Sequence, residues 1–309
     1  MRLVLFGSGI FGVPTFRAMS AEHEVLMVVS QPDRPAGRGR SLQPTPVSQW
    51  ARDADLPCLA TDNVNTNEII GQLQGIDADG WIVIAFGQKL APDLLSGQFA
   101  VNLHASLLPR FRGAAPINWA IINGERETGL SVITLADRID AGDILAQCST
   151  PIDPDETAGE LHDRLSEMGP EIVGSVLGSL DHGSLDPRPQ SSAEVIAAPK
   201  LSRKDATVDF DRPAIEVRNR IHGLTPWPGC DVLVAGRKLR LLRAAVAEHE
   251  GVLGNPGCLR PDHSIACGSG SIRLHTVQPP GGRPMDFDDW CRGLHDVQED
   301  ALMFTSTDL

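Results

Sequence analysis

The chain has 309 residues, of which 41% are hydrophobic and 22% charged, and a formal net charge of −13; it is long enough for two cored domains and too acidic to coat a polyanion by overall attraction. Its six cysteines, Cys58, Cys148, Cys230, Cys258, Cys267 and Cys291, form no C-x-x-C pair, so the sequence encodes neither a zinc site nor a disulfide framework. Tyrosine is absent, which excludes it as catalyst or phosphosite.

The first apolar run, residues 3–6, is cut off at once by Gly7. It is far too short for a signal sequence or a membrane span, and a cytoplasmic protein is expected. A glycine-rich turn follows, then a helix with Pro14 in its first turn. Further short apolar runs at 25–29, 81–86 and 101–103, with helical patterns between several of them, predict an α/β domain built on a parallel sheet. Thr157 and Glu160 form a capping box that opens a helix carrying Leu161, Leu165 and Met168 on one face. Gly169-Pro170 is expected to separate it from a second helix with Ile172, Val176 and Leu180.

Periodicity then gives way to Pro, Ser, Gly and charge, which places a linker at 189–206 between a first domain at 1–188 and a second at 207–309. After a helical stretch at 213–222, short alternating segments at 232–234, 238–242, 264–267 and 272–277 alternate with Gly-containing turns. They predict a small β-barrel.

Two patterns compete for the chemistry. Gly7-Ser8-Gly9-Ile10-Phe11-Gly12 has the form of a dinucleotide-binding turn, with Asp33 at the spacing of a ribose-binding carboxylate. Asp33, however, lies in the proline-flanked stretch Gln31-Pro32-Asp33-Arg34-Pro35, and no dehydrogenase-like catalytic set follows. The turn is therefore read as a tight first turn of a doubly wound sheet. The denser pattern runs over 101–147, where Asn102 and His104, two apart at a strand end, project to one side of the sheet. Asp140 and Asp143 sit in a loop able to fold back over that strand. This set has no hydrolase nucleophile, since Ser106 is not in a nucleophile elbow. Its chemistry suits acyl transfer between two bound molecules, with Asn102 and His104 stabilising an oxyanion and His104 managing protons. This requires a loop carboxylate such as Asp140 to orient the imidazole and favour its protonated form, with Asp143 as the alternative partner.

The segments N-x-H-x-S-L-L-P (Asn102 to Pro109), R-G-A-A-P, E-T-G and D-x-G-D, supported by Q-P-D-R-P-A-G-R-G from Gln31, A-F-G from Ala85, P-W-P-G from Pro226 and Q-P-P-G-G from Gln278, resemble the folate-dependent formyltransferase family over nearly the whole chain. The resemblance implies a Rossmann-like N-terminal catalytic domain and a small C-terminal OB-like barrel that binds tRNA. It implies that Asn102, His104 and Asp140 form the catalytic triad, and that Ser106, Leu107, Leu108 and Pro109 bind folate. It further implies that Arg34, Arg38 and Arg40 contact tRNA, with 10-formyltetrahydrofolate as formyl donor, no metal, and initiator methionyl-tRNA as acceptor. No membrane or protein partner is implied. One departure is the first turn, where the family more usually shows G-T-P. Rival readings are a sugar-nucleotide formyltransferase, which shares the triad, a 10-formyltetrahydrofolate hydrolase, and a non-catalytic tRNA-binding module. Two other basic clusters, Lys200 with Arg203 and Lys204, and Arg237 with Lys238, Arg240 and Arg243, are alternative RNA contacts.

Overall fold

The computed structural model describes residues 1–36, 41–247, 254–293 and 302–306. Its contacts divide into two units, one of Met1–Gly113, Gly129–Thr150 and His162–Ala197, the other of Ala114–Thr128, Pro151–Leu161 and Ala198–Leu309.

The first unit is built on strands β1 (Arg2–Gly7), β2 (Glu24–Ser30), β3 (Cys58–Ala60), β4 (Gly80–Ile84), β5 (Ala100–His104), β6 (Glu127–Thr134) and β7 (Ile144–Pro151) in the spatial order β7-β6-β5-β4-β1-β2-β3. Strands β3, β2, β1, β4 and β5 are mutually parallel, and β6 runs antiparallel to β5. The chain runs outward from β1 to β3 and restarts at β4 on the other side, so β1 and β4 flank the switch point of a doubly wound sheet. Residues 3–6 and 81–84 are buried along their whole length, as strands covered on both faces require. Helices α1 (Val13–Glu22), α2 (Pro46–Asp53) and α3 (Asn67–Gln74) accompany the sheet. Pro14 and Pro46 stand in the first turns of α1 and α2, and Thr45 caps α2 by accepting from Ser48 N at 3.0 Å.

Strands β6 and β7 did not emerge from the sequence, because Glu127, Thr128 and Gly129 open one and Gln147, Ser149 and Thr150 occupy the other, masking the alternation. A second difference concerns helix α5 (Ala158–Asp181; α4 is Pro116–Ile122), which continues through Pro170 instead of breaking there. Gly169 is used for close packing: a Cβ there would stand 2.2 Å from Thr15 Oγ1 and 3.1 Å from Leu103 Cδ2. Burial of Leu165, Ile172, Val173 and Val176 outweighs the one backbone bond that proline removes. The expected capping box is present, with Thr157 N donating to Glu160 Oε2 at 2.9 Å and Glu160 N to Thr157 Oγ1 at 3.4 Å.

The second unit carries helices α6 (Ala214–Gly223) and α7 (Phe287–Arg292) and strands β8 (Cys230–Val234), β9 (Arg237–Ala247), β10 (Ser264–Ala266), β11 (Ser271–Gln278), β12 (Met285–Asp286) and β13 (Phe304–Ser306). The order is β10-β11-β9-β8-β13, with β12 also on β11, and these neighbours pair antiparallel. Residues 257–259 join its two edges: Gly257 N donates to Ala266 O at 2.8 Å, while Leu259 N donates to Leu302 O at 2.9 Å and Phe304 N to Gly257 O at 2.8 Å. The sheet thereby curls into the expected barrel, around a core that includes Val232, Leu239, Leu241, Ile272, Phe287 and Phe304.

Inside this unit His222 is almost wholly buried, and its Nε2 accepts from Ala244 N at 3.1 Å. Burial, with the nearby Arg218 and Arg243 charges, outweighs Asp155 and the Ala244 bond and lowers its pKa from 6.5 to about 4. The unfolded chain therefore binds this proton more readily, so the stability contributed by neutral His222 is complete above about pH 6.5 and is lost as pH falls towards 4. His222→Gln keeps an acceptor for Ala244 and is expected to flatten that part of the stability curve by up to roughly 3 kcal/mol. Urea unfolding of both proteins at neutral and mildly acidic pH measures this, and identical slopes would refute it.

Candidate active site

Asn102 and His104 lie at the carboxyl end of β5, where the alternation of the strand puts both on one side. The loop after β6 returns Asp140 to them. Its Oδ1 stands 3.5 Å from Asn102 Nδ2 and 3.6 Å from His104 Nδ1, and its Oδ2 accepts from Gly113 N at 2.9 Å. The His104 and Asp140 side chains are only 7% and 11% exposed. On the other edge of the ring His104 Nε2 meets the Phe111 carbonyl at 2.9 Å. A carbonyl only accepts, so Nε2 carries the proton in that bond and Nδ1 is the nitrogen left facing Asp140. The sequence-predicted trio is thus brought together, and Asp143 is not part of it: its backbone N–H donates to Thr134 Oγ1 at 2.9 Å and its carbonyl accepts from Thr134 N at 2.9 Å. Asp140 adopts φ 53°, and Gly142 is required where it stands, because a Cβ would fall 1.7 Å from Thr134 O.

The segment from Ser106 to Pro109 follows directly. Ser106 is fully buried and its Oγ donates to Arg110 O at 2.6 Å. Leu108 is buried too; its N–H donates to Ser131 Oγ at 3.0 Å and its carbonyl accepts from Gln147 Nε2 at 2.9 Å. Ser131 also donates to Ser106 O at 2.7 Å. Ser106 and Leu108 are therefore used inside the protein, and Leu107 and Pro109 are the partly exposed members. Replacing Ser131 by Ala strands the Leu108 N–H and the Ser106 carbonyl in a buried place. The variant is expected to lose about 2 kcal/mol of stability in chemical denaturation, and an unchanged midpoint would contradict this role.

The glycine-rich turn is occupied with packing. Ser8 N and Gly9 N both point to Ala85 O at 3.3 Å, and a Cβ on Gly7 would come within 2.5 Å of Phe16 Cε2. Amides spent in this way do not cradle a phosphate, and Asp33 pairs with Arg52 at 3.0 Å. The turn is a device for close strand and helix packing, as expected.

Of the basic residues, Arg34 begins a ribbon in which Arg34–Ala36 pairs antiparallel with Ser41–Gln43, and its Nη2 donates to Gln31 Oε1 at 2.8 Å. Arg38 and Arg40 lie outside the described residues. Lys200, Arg203 and Lys204 are exposed. In the third cluster Lys238 and Arg240 lie 2.9 and 2.8 Å from Asp231, and Arg243 binds Glu160 and the Asp155 carbonyl. Although burial disfavours its charge, hydrogen bonds from Arg240 and Lys238 hold the Asp231 carboxyl below its usual range. Among the described residues no group of three or more His, Cys, Asp or Glu is arranged to hold a metal, and no helix is long and apolar enough to cross a membrane.

Sequence reasoning missed Phe111, Gly113, Ser131 and Gln190 around this site. Only Gly113 stood in a motif, R-G-A-A-P; the rest act through backbone carbonyls or as buried hydrogen-bond partners, which leave no pattern.

Residues 1–177 match the family described as Formyl transferase, and residues 200–295 match Formyl transferase, C-terminal domain. The chain belongs to the formyl transferase family. Its relatives include the methionyl-tRNA formyltransferase of Cereibacter sphaeroides, 41% identical over 95% of this chain and 96% of that protein. The methionyl-tRNA formyltransferase of Geobacter sulfurreducens is 40% identical over 95% of this chain and 94% of its own. Among solved structures, an N-formyltransferase of Helicobacter canadensis, in complex with folinic acid and dTDP-3-aminofucose, shares the fold. Its TM-score is 0.68 at 16% identity, over 88% of this chain and 98% of that one.

Proposed function

We propose that the chain transfers the formyl group of 10-formyltetrahydrofolate to the α-amino group of methionyl initiator tRNA, in the cytoplasm, with 1–188 as catalytic domain, 189–206 as linker and 207–309 as tRNA-binding domain. The observation that carries the chemistry is the convergence of Asn102 Nδ2 and His104 Nδ1 on one Asp140 oxygen, beside a segment whose only hydroxyl, Ser106, is buried and bonded to Arg110. The attacker is then the amine of the acceptor. Its nitrogen bonds to the formyl carbon as the carbonyl electron pair moves to oxygen, and the Asn102 amide stabilises that oxyanion, joined by the positive charge of His104 once Nδ1 has taken a proton. Asp140 holds His104, whose Nδ1 manages the proton that leaves the attacking nitrogen. Collapse breaks the bond to the folate nitrogen, which takes that proton back from His104 Nδ1 as it departs, and no protein adduct forms. Positioning of two bound substrates supplies much of the rate.

Three lines support the acceptor. The relatives at about 40% identity carry the methionyl-tRNA formyltransferase name. The chain carries a second, barrel-forming unit. Arg34 stands on a ribbon and Arg38 and Arg40 follow it in sequence outside the described residues, whereas Lys238, Arg240 and Arg243 are bound to carboxylates. The folate donor falls to the strip beside Leu107 and Pro109, held from below by Ser131 and Gln147.

Incubation with 10-formyltetrahydrofolate and methionyl-tRNA is expected to yield formylmethionyl-tRNA. Folate turnover without any amine acceptor would favour the hydrolase reading instead. His104→Ala is expected to lower kcat by roughly 10²- to 10⁴-fold with folate affinity nearly intact; near-normal kcat would remove His104 from the reaction. Replacing Arg34, Arg38 and Arg40 together by Ala is expected to raise KM for the tRNA and flatten its salt dependence, by a slope of roughly 0.7 to 0.9 for each phosphate that is no longer neutralised. Unchanged tRNA kinetics and salt slope would shift the RNA-binding role to the exposed Lys200, Arg203 and Lys204.

A further inference from the structure

Asp140 is held from behind by a residue far away in sequence. Gln190 Nε2 donates to the Asp140 carbonyl at 2.9 Å and to the Gly142 carbonyl at 2.7 Å. Its Oε1 accepts from Arg112 Nε at 3.0 Å and Arg112 Nη2 at 2.7 Å. Both ends of one amide are thus fully used. Arg112 stands between the two residues that grip the trio: the Phe111 carbonyl on His104 Nε2 and the Gly113 N–H on Asp140 Oδ2. The backbone there is also tied down, with Arg112 N donating to Ile196 O at 2.9 Å, while Arg188 and Ile144 exchange backbone bonds at 2.8 and 2.9 Å.

We infer that Gln190, anchored by Arg112, is a positioning residue for formyl transfer: it braces the Asp140 loop against the segment that orients His104, and so sets the distance between the carboxylate and the imidazole. This rests on the assignment of the reaction to Asn102, His104 and Asp140. The constraint is needed because Asp140 sits at φ 53°, a left-handed conformation costly for a residue with a side chain. Two carbonyls of that short loop accept from the same amide nitrogen, which holds the turn in one geometry. A glutamine meets the requirement because it donates twice from one end while its other end accepts from a guanidinium fork.

The test compares the full-length wild-type chain with Gln190→Ala, Gln190→Glu, Asp140→Asn and His104→Ala. Gln190→Glu keeps, as an ion pair, the anchor to Arg112 but has no N–H for the two carbonyls, so it separates bracing of the loop from anchoring of the segment. Both Gln190 variants are expected to lower kcat roughly 10²-fold, the scale of a small misplacement of reacting groups. KM for folate and for tRNA is expected to stay within about threefold, and Gln190→Glu, which keeps the anchor but leaves two carbonyls without their donor, is expected to stay folded at the assay temperature with a lowered melting midpoint. In the Asp140→Asn background, Gln190→Ala is expected to cost little more, since the two act as one unit. Wild-type kcat in Gln190→Glu, or a full additive loss on top of Asp140→Asn, overturns the role of Gln190. His104→Ala with normal kcat would instead overturn the site assignment on which it rests.

Discussion

A single carboxylate, that of Asp140, organises the candidate site. One of its oxygens faces both Asn102 and His104, and the other is fixed by the Gly113 amide. A carboxylate this little exposed is costly to leave without partners, so its surroundings must be complete before it serves chemistry. The Gly113 amide supplies one donor, Asn102 supplies another, and the imidazole supplies a third when protonated. His104 is in turn fixed by the carbonyl of Phe111, two residues from Gly113. One short segment of backbone therefore orients the base and its carboxylate together, which is the preorganisation that electrostatic stabilisation of a developing oxyanion demands.

The rest of the first unit serves that arrangement. The parallel strands deliver Asn102 and His104 to the end of the sheet, and the antiparallel strand β6 returns the chain so that the following loop can reach back. Ser131 on β6 stitches Ser106 and Leu108 in place, leaving Leu107 and Pro109 as the partly exposed members of that segment. The glycines of the first turn allow close approach to Phe16, Ile84 and Ala85.

The α/β class, the barrel and the Asn102 and His104 pair were legible because each leaves a periodic or local signature: short apolar runs, alternating segments, an i, i+2 pair at a strand end; between the loop carboxylates Asp140 and Asp143 spacing did not choose, and only the family resemblance pointed to Asp140. The capping box at Thr157 was legible for the same reason. Pro170 misled because local propensity marks a break, whereas Gly169 packing on Thr15 and the buried face of α5 decide otherwise. Strands β6 and β7 were obscured by polar residues, two of which, Ser131 and Gln147, bond the Ser106 to Pro109 segment. Gln190 was least legible of all. It lies in a stretch read as linker from its Pro, Ser and charge content, and its four hydrogen bonds depend on a tertiary contact that no spacing encodes.

Of the basic side chains of β9, Lys238, Arg240 and Arg243 are engaged by Asp231 and Glu160, whereas Arg237, like Lys200, Arg203 and Lys204, is exposed, so a chain of acidic balance still presents local positive charge. The most direct measurement is a rapid-quench single turnover with formyl-labelled 10-formyltetrahydrofolate and methionyl-tRNA, following label on folate, protein and tRNA. Direct transfer at the Asn102, His104 and Asp140 site predicts that label leaving the folate appears at once on the methionine nitrogen, with none bound to the protein at any time. A labelled protein species that forms before the formylated tRNA and decays into it would contradict direct transfer.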